Sequence, residues 1–262
     1  MLTFVIPVKS KLVSNNWSEF CNLFQNTLKS VTNQTDSSFK VVVVCNEIPD
    51  IEFKHPSVHY LKVDFNPPLR KEYESDESIN KRREIDKGKK LKVGVKYATD
   101  NFNTDYVMTV DSDDFISKKI AAFVNGQNGE KPGWYTIKGY IYVKGKPFLL
   151  ATSKFNSLCG SSVIVRPELI EHFCEIDPIL YFDHRMTVLN NDIYLDELPF
   201  YGGIYSVVNG ENHLMSISNV KKFNNHKGWM SREGLRRILV KLRSYSFKFI
   251  TKNVINEFGF IK

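Results

Sequence analysis

Residues Asp111-Ser112-Asp113-Asp114 form an acidic cluster with the spacing of a cation site. Side chains two residues apart in an extended segment point the same way, so Asp111 and Asp113 can face one divalent cation. Mn²⁺ or Mg²⁺ held there would bind diphosphate oxygens, with water completing its coordination shell. Such a cation neutralises a leaving nucleoside diphosphate without proton transfer. The structural alternative is that Asp113 or Asp114 caps a helix beginning near Ser117.

Two other kinds of site with a similar pattern are excluded by the neighbouring residues. A calcium-binding EF-hand loop counted from Asp111 requires Gly at its sixth position and Glu at its twelfth, where this chain has Ile116 and Ala122. A phosphatase of the haloacid dehalogenase type would carry the pattern after its first strand, with Thr or Val at position 115. Here the pattern follows the fourth predicted strand, and residue 115 is Phe.

Alternating strand and helix signals precede the aspartates and must position them. Apolar runs predict strands at 3–8, 39–45, 58–63 and 106–110, and helical spacing predicts helices at about 17–31 and 79–99. This order predicts an α/β fold with a doubly wound, mostly parallel sheet. Ligands bind at the carboxyl ends of the strands in such sheets, which adds Pro7-Val8-Lys9 and Asn46-Glu47 as ligand loops. The charged, Pro-containing segment 66–83 predicts a mobile loop.

After residue 115 the pattern changes to a mixed α+β arrangement. Strands are predicted at 134–143, 148–152, 161–165 and 204–208, and helical segments at 167–174 and 181–189. We therefore predict a soft boundary near 115, with residues 1–115 and 116–220 as two halves of one domain that share a core.

Composition indicates a folded chain: of 262 residues, 42% are hydrophobic and 25% charged, which argues against disorder. No apolar run is long enough to span a bilayer, and the start lacks the features of a signal peptide, so a cytoplasmic location is expected. The four cysteines lack metal-ligand spacing, which predicts reduced, buried thiols.

The charge is concentrated at the C-terminal end. Residues 221–262 contain eleven Lys or Arg and two acidic residues, an excess of +9, which leaves −2 for residues 1–220. A nearly neutral body argues against a nucleic-acid partner. Apolar residues at helical spacing among these cations predict a basic C-terminal helix over 221–262. That helix either packs on the body with a solvated basic face or contacts an anionic membrane peripherally.

Six motifs follow one another along the chain: FVIPVK at the start, VVVVCNE on the second strand, Asp86-Lys87-Gly88-Lys89-Lys90, YVMTVDSDD, Gly160-Ser161-Ser162 and Glu211-Asn212-His213. Together these motifs resemble the family 2 glycosyltransferases of GT-A fold, in the nucleotide-diphospho-sugar transferase superfamily. The order and spacing match over roughly residues 1–215.

The resemblance implies a metal-dependent, inverting transfer from a UDP- or GDP-hexose to a glycan or lipid-linked acceptor. Residues 1–115 would hold the nucleotide sugar, and 116–220 the acceptor. Donor contacts are implied for Pro7, Val8, Asn46, Glu47, Lys87, Asp111 and Ser112, and metal contacts for Asp111, Asp113 and His213. Asn46 departs from the acidic residue that family members often carry there, which affects the expected base contacts.

An inverting transfer needs a general base, because the acceptor hydroxyl loses its proton as it attacks. Asp183, in the sequence Asp183-His184-Arg185, is the predicted base, at the start of the predicted helix 181–189. The alternative is that Asp183 only caps that helix.

The sequence argues against two other functions. A sugar-phosphate nucleotidyltransferase would carry a Gly-rich loop after the first strand, and Val8-Lys9-Ser10-Lys11 contains no glycine. A non-catalytic sugar-binding or assembly subunit would be expected to lose the paired carboxylates, which this chain retains.

Overall fold

The computed structural model describes residues 1–127, 129–174, 182–190, 192–207 and 245–260. Within these ranges the strands are β1 Leu2–Pro7, β2 Phe39–Cys45, β3 Val58–Lys62, β4 Tyr106–Thr109, β5 Phe115–Ile116, β6 Gly133–Tyr135, β7 Gly139–Val143, β8 Phe148–Thr152, β9 Val163–Val165, β10 Val188–Leu189, β11 Ile193–Tyr194, β12 Asp196–Glu197, β13 Gly203–Val207 and β14 Ser246–Phe249. The α-helices are α1 Trp17–Thr32, α2 Asp76–Asn101, α3 Ile120–Asn125 and α4 Lys252–Phe258, and 3₁₀ helices span Lys11–Val13, Phe155–Ser157 and Pro167–Phe173.

The main sheet has seven strands in the order β12-β6-β9-β4-β1-β2-β3. Strands β4, β1, β2 and β3 are parallel, whereas β9 runs antiparallel to both β4 and β6. Every residue of β1 and β4 is buried, as expected for parallel strands covered on both faces. The predicted α/β fold with a mostly parallel sheet is confirmed in this part of the chain.

Helices α1 and α2 cover opposite faces of that sheet. Helix α1 begins after Asn16, whose side chain accepts from Glu19 N at 3.2 Å, and it buries Phe20, Phe24 and Leu28 against one face. Helix α2 approaches the other face at Gly94, where an added Cβ would lie 2.6 Å from Val5 Cγ1. The two main apolar cores lie on these two sides of β1, β2 and β4.

Helix α2 begins earlier than the sequence pattern predicts. The prediction of a mobile loop over 66–83 is wrong from Asp76 onward, because Ser75 caps a helix there by accepting from Ser78 N at 3.2 Å. Arg82 is bonded to Glu74 at 2.6 Å and anchors this first turn. The charged residues from Asp76 to Arg83, which predict a loop, instead form the start of a long helix.

The second half forms a five-stranded sheet in the order β14-β8-β7-β13-β5. The single predicted strand 134–143 is wrong, because it divides into β6 and β7, which belong to different sheets. Between them, Thr136 N donates to Ser162 O and Phe155 N to Ile137 O, so the intervening backbone bonds to loops. The predicted strand 148–152 is confirmed as β8.

The predicted helix 181–189 is wrong for the residues that the structure describes, which begin at Phe182. Asp183 Oδ1 accepts from Arg185 N at 3.1 Å, a local bond that competes with helix formation. The chain then enters the short strand β10, which pairs with β11.

The C-terminal segment differs from the predicted basic helix where it is described. Lys248 and Phe249 lie in strand β14, which pairs antiparallel with β8, and α4 is a separate helix of seven residues. Phe258 and Phe260 pack with Phe115 in a third apolar core, so the chain end is part of the domain body. Residues 208–244, which include most of the predicted helix, lie outside the described residues.

Within the described part of the chain, no helix combines the length and apolarity needed to cross a bilayer. The four cysteines are buried and free, as predicted.

Candidate functional site

A cavity of about 170 Å³ opens at the carboxyl ends of β1 and β4. Six of the predicted site residues line it, namely Pro7, Val8, Lys87, Asp111, Ser112 and Asp113. Asn46, Glu47 and Asp183 are not among its lining residues, and His213 lies outside the described residues. The parallel strands thus bring the first and fourth strand ends together, as the sheet topology requires.

An ion pair crosses this cavity from α2 to the loop after β4. Lys87 Nζ lies 2.6 Å from Asp111 Oδ1, and each side chain is about one-quarter exposed, at 24% and 25%. Burial opposes the charge on Lys87, but Asp111 and Glu84 outweigh it and raise the pKa of the ammonium. Gly160 faces the pair, and a Cβ there would lie 2.8 Å from Asp111 Oδ2. A side chain at this position would therefore displace the ends of Asp111 and Lys87.

Further charged residues of α2 line the cavity beside Lys87. Lys90 is only 1% exposed and lies 2.7 Å from Asp86 Oδ2. Burial raises the pKa of Asp86, and its Oδ1 atom is buried with no hydrogen-bond partner. Burial, together with Asp111, also raises the pKa of Glu84.

Asp114 is part of the frame beneath the cavity. It is fully buried, and its carboxylate accepts from Ser161 Oγ at 2.7 Å, Cys159 Sγ at 3.0 Å and Ser206 N at 3.1 Å. Burial and the neighbouring Asp113 and Asp111 raise its pKa well above the ordinary value. The helix-capping alternative is wrong, because the next α-helix begins at Ile120 and has no side-chain cap.

The second predicted ligand loop is held away from the cavity lining. Asn46 Nδ2 donates to Phe65 O at 2.9 Å, while its Oδ1 is buried without a partner. Glu47 accepts from Ser10 Oγ at 2.8 Å and from Lys11 N at 3.1 Å. Glu47 therefore stabilises the loop after β1, and the base contacts of both residues stay predictions.

The segment after Phe182 brings His184 rather than Asp183 into the cavity lining. Asp183 forms two bonds with the Arg185 guanidinium, at 2.8 and 2.9 Å, and these lower the pKa of its carboxyl. His184 Nδ1 donates to Asn156 O at 2.6 Å, and burial lowers the pKa of the imidazole. Neutral His184 therefore keeps Nε2 as an acceptor.

The donor set fits a cation that also takes ligands from a bound diphosphate. Asp111 and Asp113 supply carboxylate oxygens to one cavity, and Mg²⁺ commonly binds through one or two carboxylates plus phosphates and water. Among the residues with described positions, no group of three or more His, Cys, Asp or Glu could hold a metal by itself.

No family model and no curated protein sequence matches the chain. Among solved structures, it is similar to TarS 1–349 of S. aureus at 15% identity and a TM-score of 0.46, with 78% of this chain and 60% of TarS 1–349 covered. The same fragment with UDP-GlcNAc matches at 14% identity and a TM-score of 0.45, covering 78% of this chain and 58% of that one.

Two further similar structures have lower scores. HddC from Yersinia pseudotuberculosis matches at 11% identity and a TM-score of 0.40, covering 85% of this chain and 97% of HddC. A protein described as a nucleotide-diphospho-sugar transferase, from Desulfovibrio desulfuricans G20, matches at 8% identity and a TM-score of 0.40, covering 92% and 96%. Similarity at this level carries no argument about the reaction, which must rest on the site.

The residues of this site that the sequence patterns did not identify include Glu84, Asp114 as a frame residue, His184 as a lining residue and Tyr205. Tyr205 lines the cavity from β13, and burial, followed by Asp114, raises the pKa of its hydroxyl. For Glu84, the signal was its position one helical turn before Lys87 on α2. For Tyr205 no local signal existed, because its place depends on the pairing of β13 with β7.

Proposed function

We propose that this chain is a metal-dependent glycosyltransferase that moves a hexose from a UDP- or GDP-sugar to a glycan or lipid-linked acceptor, with inversion. The observation that carries the proposal is one cavity at the carboxyl ends of parallel strands, lined by Asp111, Asp113 and Lys87. Carboxylates next to a cationic side chain suit a diphosphate together with a divalent cation. A leaving nucleoside diphosphate is the group that requires both kinds of charge neutralisation.

Each residue has a proposed part in binding. Pro7 and Val8 would contact the nucleoside, and Lys87 a phosphate oxygen, with Asp111 as its partner at 2.6 Å before the donor arrives. Asp111 and Asp113 would hold Mn²⁺ or Mg²⁺, with His213 as a further ligand. When bound there, the cation would stabilise the departing diphosphate as a Lewis acid. Ser112 lies between the two aspartates and lines the same cavity, where a donor would contact it.

Proton removal from the acceptor is assigned to Asp183. The bonds from Arg185 lower the pKa of this carboxyl, so it is ionised at neutral pH and able to accept a proton. His184 is the structural competitor, since it lines the cavity and its Nε2 is an acceptor when neutral. A base at Asp183 and a base at His184 predict different pH dependences of the activity.

Thermal unfolding with nucleoside diphosphates and Mn²⁺ tests the donor class. Ligands that bind only the folded chain raise the melting temperature in proportion to the logarithm of their concentration over Kd. We expect UDP or GDP with Mn²⁺ to stabilise the chain more than either component alone. No shift with any nucleoside diphosphate would contradict the proposal.

Product analysis separates the proposal from a sugar-phosphate nucleotidyltransferase. A glycosyltransferase releases a nucleoside diphosphate when it transfers the sugar, slowly if water takes the sugar and faster if an acceptor does. A nucleotidyltransferase joins a nucleoside triphosphate to a sugar phosphate and releases pyrophosphate. Pyrophosphate release from a nucleoside triphosphate with a sugar phosphate, and no nucleoside diphosphate release from a sugar nucleotide, would favour the nucleotidyltransferase. Nucleotide binding with neither product would favour the non-catalytic subunit.

A further inference from the structure

Asp114 connects three walls of the cavity through its carboxylate. Oδ2 accepts from Ser161 Oγ at 2.7 Å and from Cys159 Sγ at 3.0 Å, and Oδ1 accepts from Ser206 N at 3.1 Å. Leu158 and Gly160, on either side of Cys159, line the cavity. Tyr205, beside Ser206, lines it from β13. A single buried group thus bonds to the elements that enclose the site.

The connection to Asp111 runs through one hydroxyl group. Asp111 N donates to Ser161 Oγ at 2.8 Å, and Ser161 in turn donates its hydrogen to Asp114. A hydroxyl group has one hydrogen and two lone pairs, so Ser161 can donate to Asp114 and accept from the Asp111 amide at the same time. The lone pairs of Ser161 Oγ are then available to the Asp111 amide.

We infer that Asp114 is a positioning residue of the nucleotide site, which holds Asp111 in place through Ser161 and fixes the two facing walls through Cys159 and Ser206. The inference rests on the proposed function for its ligand. A buried polar group stays in place when its bonds are all made, and here three donors converge on one side chain with no exposure. Asp114 therefore controls the geometry of Asp111 without lining the cavity itself.

Asparagine does not reproduce the acceptors of this carboxylate, although its shape is nearly the same. Its amide has one oxygen and one NH₂ group. If the oxygen faces Ser161 and Cys159, the NH₂ faces the Ser206 amide, a donor against a donor. If the oxygen faces Ser206, the NH₂ can bond Ser161 Oγ and Cys159 Sγ only as the donor, so the hydroxyl and thiol hydrogens lose this acceptor. Asp114→Asn therefore either breaks the bond to Ser206 or reverses the bonds to Ser161 and Cys159.

The first measurement is amide hydrogen exchange of the full chain, which needs no ligand. In Asp114→Asn and in Ser161→Ala, we expect exchange of the Asp111 amide to accelerate by ~10-fold or more. The Val110 amide, which donates to Val5 O at 3.0 Å inside the sheet, serves as the internal reference and should change little. Equal acceleration at Asp111 and Val110, or none at Asp111, would overturn the inference. Ser161→Ala removes the acceptor of the Asp111 amide itself and is the positive control. If Asp114→Asn does not fold, Asp114→Ser, which removes the carboxylate and keeps Ser161, decides the question.

The second measurement is the ratio of UDP affinity with Mn²⁺ to UDP affinity without it. A positioning role predicts that Asp114→Asn and Ser161→Ala lower this ratio, because the carboxylate that binds the cation is displaced. Cys159→Ser keeps a donor toward Asp114 and should preserve the ratio. Asp100→Asn, at an exposed pair with Lys96, is the matched control. An unchanged ratio in both test variants would also overturn the inference.

The two measurements separate this inference from the proposed function. If the unmodified chain binds UDP with no dependence on Mn²⁺, the proposed function fails, while the exchange of the Asp111 amide still decides whether Asp114 positions that residue. If the unmodified chain binds as proposed and the Asp111 amide does not respond, only the positioning role fails.

Discussion

Lys87 and Lys90 lie one turn apart on α2, yet they form ion pairs of different kinds. Lys87 reaches across the cavity to Asp111, 24 residues along the chain, and the pair is about one-quarter exposed. Lys90 bonds to Asp86 within its own helix and is almost fully buried. A pair that spans a cavity can exchange partners with a ligand, whereas a buried local pair mainly maintains the helix and its packing. Asp183, paired with Arg185 two residues away, resembles the local kind.

The largest expected effect tests whether a locally paired carboxylate can still be the base. Asp183→Asn should keep donor affinity and lower turnover by roughly 10²–10⁴-fold, because no base then accepts the proton of the acceptor hydroxyl. His184→Ala should be milder. Turnover and donor affinity of both variants are the measurements. A near-normal rate for Asp183→Asn with a large loss for His184→Ala would transfer the role to the residue that lines the cavity.

The pH profile of kcat/KM gives a second test of the same choice. Arg185 lowers the pKa of Asp183, so its base form persists below the ordinary value, and activity should fall only below about pH 4. Arg185→Ala should move that fall to higher pH. Burial lowers the pKa of His184 from its ordinary value of about 6.5, so a base at this position would make activity fall below that pH, and Arg185→Ala would not move the fall in the same way.

Removing Lys90 tests, through the free energy of unfolding, whether its buried ion pair is structural. Lys90→Met leaves the Asp86 carboxylate buried without its partner, which should cost about 3–5 kcal/mol of unfolding free energy. Lys96→Met is the matched control, because Lys96 pairs with Asp100 at the same spacing but is 76% exposed. Denaturant unfolding of both variants gives the difference. A loss no larger than that of Lys96→Met would show that the buried pair is not what holds this part of α2.

Removing Lys87 should affect ligand binding instead. Lys87→Met loses a charged contact to phosphate, worth about 1.5–3 kcal/mol, which corresponds to a roughly 10- to 100-fold weaker nucleotide affinity. Its unfolding free energy should stay close to that of Lys96→Met, since the pair is partly solvated. Calorimetric titration with UDP and GDP checks the first expectation. Unchanged affinity together with reduced stability would mean that Lys87 is structural, like Lys90.

Elements were predictable where local patterns decide them. The FKVVVVC run predicts β2 correctly, because a parallel strand buried on both faces is apolar throughout. The ends of β1 and β4 followed from topology, which placed Val8 and Asp111 in one cavity. The turn at Asp183 was not predictable from periodicity, since a side-chain bond to Arg185 N replaces helix hydrogen bonds. The division of 134–143 depends on contacts from Phe155 and Ser162, which are distant in sequence.

The smallest expected effect concerns the anionic membrane contact, which stays a proposal. In the described part of the basic C-terminal region, Phe247 and Phe249 are 62% and 81% exposed on β14, and Lys248 lies between them. Each basic residue near an anionic surface contributes about 1 kcal/mol, so Lys248→Ala should lower binding to anionic vesicles about fivefold. Co-sedimentation with anionic and neutral vesicles is the measurement. Equal pelleting of the unmodified chain with both would count against membrane contact.

Calorimetric titration of UDP and GDP, with and without Mn²⁺, into the unmodified chain and Asp113→Ala tests the central claim most directly. Asp113 lines the cavity, and removing its carboxylate removes a proposed ligand of the cation. We predict that Mn²⁺ strengthens nucleotide binding by ~10-fold or more in the unmodified chain and has no effect on Asp113→Ala. The same dependence on Mn²⁺ in both proteins, or no nucleotide binding by the unmodified chain, would contradict the assignment of this cavity as a metal-dependent nucleotide-sugar site.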